Sequence, residues 1–193
     1  AFTTGHSNAA FGHTAFEALT TGHTNTALGC RAGLVLTEGN SNTFVGKDAG
    51  DSATVINEAV LIGHNAGHTI STSTALDGTV GIGAEALAAL TTGASNLAIG
   101  YQTMQNLTTG TANTAVGRKA LNSADGAENN NVAIGSSAMQ NANNDSTEKN
   151  VAIGADAMSS VTSGEVDRCI AIGHGAMNGV GSIGAQQNIF IGN

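Results

Sequence analysis

The sequence predicts an all-β fold: a parallel β-solenoid, or β-roll, of about eleven coils with 17–20 residues each. Three observations lead there. First, a glycine preceded by an apolar residue recurs at Gly12, Gly29, Gly46, Gly63, Gly83, Gly100, Gly117, Gly135, Gly154, Gly173 and Gly192. The intervals are 17 to 20 residues, and a near-constant period of that length marks stacked repeats. Second, residues at equal distances from these glycines share their chemistry. Third, the composition suits a stack and little else. There are 27 Gly, no Pro, no Trp and 3% aromatic residues, too few large side chains for a compact globular core. With 40% hydrophobic and 10% charged residues, the chain is also too apolar for a disordered segment.

Each coil can be read outward from its glycine, taken as position zero. Position −1 is apolar throughout, and its residues are the expected core: Phe11, Leu28, Val45, Ile62, Ile82, Ile99, Val116, Ile134, Ile153 and Ile172. The three residues before the glycine, as in "NVAIG", are rich in Val, Ile and Thr and read as a short strand. The glycine itself supplies a tight turn or a close backbone approach. Position +3 is Ala in nine of ten coils, with Thr103 the exception. Position +7 is apolar in every coil: Leu19, Leu36, Ala53, Ile70, Leu90, Leu107, Ala124, Ala142, Val161 and Val180. A second short strand is predicted to take in +3, +4 and +7. Positions +1 and +2 vary and carry most of the Lys and Arg, so both are expected to face water. Parallel strands lie ~4.8 Å apart, so eleven coils make a rod roughly 50 Å long.

The −3 to −1 stretch is apolar or small at successive residues ("VAI", "LAI", "IAI"), the pattern of a strand covered on both faces. The coil's own interior covers one face. The other, expected to be the one lined by Ala at −2, would meet another copy of the chain. Position −4 is Asn in eight of eleven coils: Asn8, Asn25, Asn42, Asn96, Asn113, Asn131, Asn150 and Asn188. Stacked amides can hydrogen-bond in a ladder, or Asn can simply serve the turn before the strand.

At "NVAIGSSAM", "NVAIGADAM" and "CIAIGHGAM" the sequence resembles the head repeats of trimeric autotransporter adhesins. At "LTTGASNLAIGYQTM" and "LTTGTANTAVGRKAL" it is equally similar to repeats of bacteriophage tail fibres and spikes. The resemblance spans nearly the whole chain and implies a trimer, an extracellular, cell-surface or virion location, and attachment to a cell-surface or glycan receptor. The repeats here are longer than those of the adhesins. On this reading residues 1–193 form one repeat domain, a segment of a longer fibre. The chain begins mid-pattern, without an initiator Met or a signal peptide, as expected of a fragment or a processed product. The alternative is a subunit that polymerises end to end through open strand edges.

The formal net charge is −8 and the pI about 4.9, which argues against nucleic acid or an anionic membrane surface as partner. No apolar run is long enough to insert in a membrane as a helix. The sequence shows no catalytic set and implies no enzyme, cofactor or metal. The hexapeptide helix of acyltransferases would repeat its motif every six residues, whereas "IGxxA" comes once per coil. An ice-binding face would need an unbroken Thr column, and Glu38 and Asp77 interrupt this one. Cys30 and Cys169 lie eight coils apart, too far for a disulfide, and Cys169 is expected to be a buried thiol. His6 and His23 should stack on each other, as should His13 and Cys30. Acidic residues gather at 125–129, 144–148 and 165–167, expected to be solvated loops. Asn106 and Asn144 begin N-x-S/T sequons and are glycosylation candidates where the source has that machinery.

Overall fold

The computed structural model describes residues 4–70, 76–126, 128–142, 147–160, 166–179 and 185–192. It is a β-solenoid. Eleven three-residue strands form one parallel sheet: β1 (Ala9–Phe11), β2 (Thr26–Leu28), β3 (Thr43–Val45), β4 (Val60–Ile62), β5 (Val80–Ile82), β6 (Leu97–Ile99), β7 (Thr114–Val116), β8 (Val132–Ile134), β9 (Val151–Ile153), β11 (Ile170–Ile172) and β13 (Ile189–Ile191). Each coil contributes one strand, and its sheet neighbours are the strands of the coils before and after it. Equivalent positions pair in register, as in Ala133↔Ala152 and Ala152↔Ala171. The added residues of the longer coils fall between +7 and −7, where they leave this register undisturbed.

The second strand predicted at +3, +4 and +7 does not form. A second, two-stranded sheet pairs β10 (Val166–Asp167) with β12 (Ala185–Gln186), on the other side of the Asn column. The intended second strand is instead a stack of turns. Residues at −5, +2 and +4 take positive φ in coil after coil, for example Lys149, Asp156 and Met158 at 57°, 56° and 53°. Left-handed backbone costs a side-chain-bearing residue about 1–2 kcal/mol. It recurs because it turns the backbone N–H along the rod axis, toward the neighbouring coil. Met158 N donates to Ala176 O at 2.9 Å and Asp156 N to Ser136 O at 2.9 Å, so the turns are bonded both up and down the stack.

Burial corrects the expected core. Phe11, Leu28, Val45, Ile62, Ile82, Ile99, Val116, Ile134, Ile153 and Ile172 point out of the coil; Phe11 is 77% exposed and Ile153 37%. The inward residue is the middle one, at −2: Ala27, Phe44, Leu61, Ala98, Ala115, Ala133, Ala152 and Ala171 are all buried. Strand alternation allows no other outcome. The −4 amide is buried, so −2 shares its side of the backbone while −3 and −1 take the opposite one.

The interior is completed by +3, +4 and +7. Ala32, Ala49, Ala66, Ala86, Ala120, Ala138 and Ala157 are buried at +3, and every described +7 residue has no exposed surface. Val161 and Val180 lie outside the described residues. Positions −2 and +4 share one space and exchange bulk. Phe44 and Leu61 at −2 go with Gly50 and Gly67 at +4, whereas Gly81, Ala98 and Ala152 go with Leu87, Met104 and Met158. In the second coil both members are small, Ala27 and Gly33. The rings of Phe16 and Phe44 close over that coil from either side, with centroids 6.1 Å apart. A Cβ on Gly33 would come within 2.5 Å of the Phe16 ring.

The zero-position glycines mark the closest approach between coils. A Cβ on Gly154 would lie 2.4 Å from the carbonyl oxygen of Gly173, at a φ of 135° that L-residues rarely adopt. The same contact recurs up the stack and accounts for the strictest column in the sequence.

Candidate functional surface

Because the strands are only three residues long, each presents two side chains outward. Together they form a stripe two side chains wide: Ala9 and Phe11, Thr26 and Leu28, Thr43 and Val45, Val60 and Ile62, Val80 and Ile82, Leu97 and Ile99, Thr114 and Val116, Val132 and Ile134, Val151 and Ile153, Ile170 and Ile172, Ile189 and Ile191. None is charged, and none is fully buried. At ~3.3 Å per residue and ~4.8 Å per strand the stripe covers roughly 500 Å². The −2 alanines, expected to line it, face the interior instead.

The rim of the stripe is polar. On one side run the +1 residues, among them His13, Cys30, Lys47, His64, Tyr101, Arg118 and His174. The +2 residues beside them are less open than expected, and Asp48 and Ser137 are buried. Asp48 belongs to a charged network over the second to fourth coils. Arg31 Nε lies 3.2 Å from Asp48 Oδ1 and its Nη2 3.0 Å from Asp51 Oδ2. Lys47 closes on Asp48, and His68 Nδ1 sits 2.7 Å from Asp51 Oδ1.

Burial pushes the Asp48 carboxyl up, but the Lys47 hydrogen bond and the charges of Arg31, Lys47 and His64 outweigh it and hold the group below its usual 3.8. The sign follows by linkage: a depressed carboxyl stabilises the fold above its ordinary pKa and loses that contribution as pH falls through the lower folded value. The urea midpoint of the native chain should therefore drop between about pH 5 and about pH 3, and Asp48→Asn should remove part of the drop. An acid profile identical to that of the native chain would show that the network contributes nothing.

Two side-chain ladders flank the strands. The first is the −4 column. Asn25 Nδ2 donates to Asn8 Oδ1 at 3.0 Å and Asn42 Nδ2 to Asn25 Oδ1 at 2.9 Å. After Ala59 and Thr79 interrupt it, the chain of amides resumes from Asn113 to Asn96 at 3.1 Å, from Asn131 to Asn113 at 3.3 Å and from Asn150 to Asn131 at 3.2 Å. Cys169 takes the next place, fully buried, its backbone N donating to Asn150 Oδ1 at 2.9 Å. It separates the exposed Asn188 from the stack.

The second ladder, at −6, was not anticipated. It runs through His6, His23, Asn40, Asn57 and Asp77, and resumes at Thr111, Asn129 and Glu148. Its common feature is a hydrogen-bond acceptor rather than a residue type. Its backbone N–H groups donate toward later coils, whereas those of the Asn ladder donate toward earlier ones.

The remaining candidates fall in separate places. His6 and His23 stack, with centroids 4.1 Å apart. Neither cysteine forms a disulfide among the described residues, and Cys30 is half-buried. No group of three metal-ligating side chains gathers among the described residues. Asn106 is exposed, while Asn144 lies outside the described residues. Of the acidic loops, 125–129 is not wholly solvated: Glu128 is buried and accepts from the Gly126 N–H at 3.2 Å. Glu148 is held below its usual range by hydrogen bonds from Lys149 and Asn129. The chain matches no family model, no curated protein and no solved structure.

Proposed function

We propose that this chain is a non-enzymatic structural segment of an extracellular or virion fibre, in which copies associate through the outward faces of their sheets. The observation that carries the reading is the uncharged stripe on β1 to β9, β11 and β13. A solenoid that worked alone would place polar residues at −3 and −1, as it does at −5 and +1. Three copies around a common axis would cover each stripe with its two neighbours. The resemblance to adhesin heads and phage tail fibres supports that arrangement and this location. The function is then mechanical: axial bonding between coils gives stiffness, and the polar turns and longer loops are displayed for contact with a cell-surface or glycan receptor.

The test is the mass of the purified chain in solution, by light scattering across a concentration series. The expected result is a fixed mass of three chains. Replacing Ile134, Ile153 and Ile172 together by Lys should yield a monomer with an unchanged circular dichroism spectrum. A native chain that is a clean monomer at all concentrations would refute self-association through the stripe. Mass that keeps growing with concentration would favour the end-to-end filament instead.

A further inference from the structure

We propose that His23 is a pH-sensitive rung, at which the −6 ladder parts between the coils of His6 and His23 in mild acid. In the −6 ladder a side-chain acceptor on one coil receives the backbone N–H of the residue one coil earlier. Asn40 Oδ1 receives His23 N at 3.0 Å, Asn57 Oδ1 receives Asn40 N at 3.0 Å, and Asp77 Oδ1 receives Asn57 N at 2.9 Å. Farther along, Asn129 Oδ1 receives Thr111 N at 2.8 Å. At the first rung the acceptor is an imidazole nitrogen: His6 N donates to His23 Nδ1 at 3.2 Å.

An amide oxygen accepts at any pH. An imidazole nitrogen accepts only while it is unprotonated, and a protonated imidazole is a donor at both nitrogens. Histidine changes state around pH 6.5. Protonation of His23 at Nδ1 sets two N–H groups against each other. The second imidazole is stacked on the first, so charge on both rings adds repulsion along the same axis.

Nothing nearby compensates. The groups facing His23 are His6 on one side and Asn40 on the other, with Ser7, Thr24 and Ser41 beside them. No carboxylate pairs with either ring among the described residues. Beside this rung, the two coils are tied by Thr4 N and Gly5 N to Thr20 O, by Thr24 N to His6 O, by Ala9 N to Asn25 O, and through the Asn8 side chain to Asn25 and Gly22. The rung is present while His23 is neutral and lost once it is protonated. Acid therefore loosens the contact between these two coils at this rung, while the other hydrogen bonds between them remain.

Amide hydrogen exchange of residues 4–11, corrected for intrinsic exchange, tests this at about pH 7.5 and about pH 5.5. Protection in the native chain should fall about tenfold at the lower pH, the scale of one lost hydrogen bond, while the Asn40 and Asn57 amides keep theirs. His23→Asn installs the acceptor already used at Asn40 and Asn57. It should be protected equally at both pH values. Unchanged protection in the native chain would overturn the proposal. So would a His23→Asn variant that loses protection as the native chain does, since the sensitivity would then lie elsewhere.

Discussion

Ala152→Asp is expected to unfold the chain, and Ile153→Asp, one residue later, to leave it folded but unable to self-associate. Ala152 is fully buried, in register between Ala133 and Ala171. A carboxylate there is enclosed by small apolar side chains and the Met158 chain, with no cation to meet it. An uncompensated buried charge costs about 3–5 kcal/mol, a large share of the ~5–15 kcal/mol that holds an ordinary domain together. In a solenoid each coil is stabilised mainly by its two neighbours, so a failed coil also removes support on both sides. Ile153 is 37% exposed on the outer face. Asp in its place stays hydrated and forfeits only strand propensity, about 1 kcal/mol or less. In the proposed assembly, however, that carboxylate would be driven into an apolar interface. Urea denaturation and light scattering on the two variants separate the cases. A folded Ala152→Asp or an unfolded Ile153→Asp would reverse the assignment of faces.

That assignment is also where sequence and structure part. The period, the glycine column, the buried +3 and +7 residues and the inward Asn column all stand out in the sequence, because each repeats one chemistry at one place. The facing of the strand does not. Three consecutive apolar residues carry no alternation, so "VAI" fits either orientation and the largest side chain invites the wrong one. Two weaker signals bear on the choice. The −4 Asn and the −2 residue have the same strand parity, so an inward amide implies an inward Ala. The exchange of bulk between Phe44 and Gly50, Leu61 and Gly67, and Gly81 and Leu87 links −2 to +4 across one interior space.

Other features leave no trace in residue type. Leu87, Met104 and Met158 hold left-handed backbone that their side chains disfavour, imposed by axial hydrogen bonding between coils. The −6 ladder mixes His, Asn, Asp and Glu and reads as noise until the shared property, an acceptor aimed along the axis, is seen in three dimensions. The charged network escaped for a similar reason. Arg31, Asp51 and His68 lie 20 and 17 residues apart and meet only because the stack folds those intervals into adjacent coils.

Asn131→Leu should be strongly destabilising, and Asn188→Leu close to neutral. Asn131 uses every hydrogen-bonding valence of its amide. Its Nδ2 donates to Asn113 Oδ1 at 3.3 Å and to Thr147 O at 2.8 Å. Its Oδ1 accepts from the backbone N of Asn150 at 3.0 Å and from Asn150 Nδ2 at 3.2 Å. Leucine fills a similar volume but removes all four bonds in a site that water does not reach, with Asn113, Asn131 and Asn150 all fully buried. Asn113 Oδ1 keeps the backbone N–H of residue 131 and Asn150 Nδ2 keeps Val166 O, but Thr147 O and the Asn150 N–H are orphaned; at about 1–3 kcal/mol for each orphaned buried group the total is about 2–6 kcal/mol. The ladder transmits the damage, because Asn150 held by two bonds fewer is a poorer acceptor for the backbone N of Cys169 above it. Asn188 is exposed beyond the Cys169 break and has water as an alternative partner. Urea midpoints of the two variants give the comparison directly. Equal losses would mean that the column serves the turn before each strand rather than a ladder, and a stable Asn131→Leu would remove the ladder from the forces that hold the coils together.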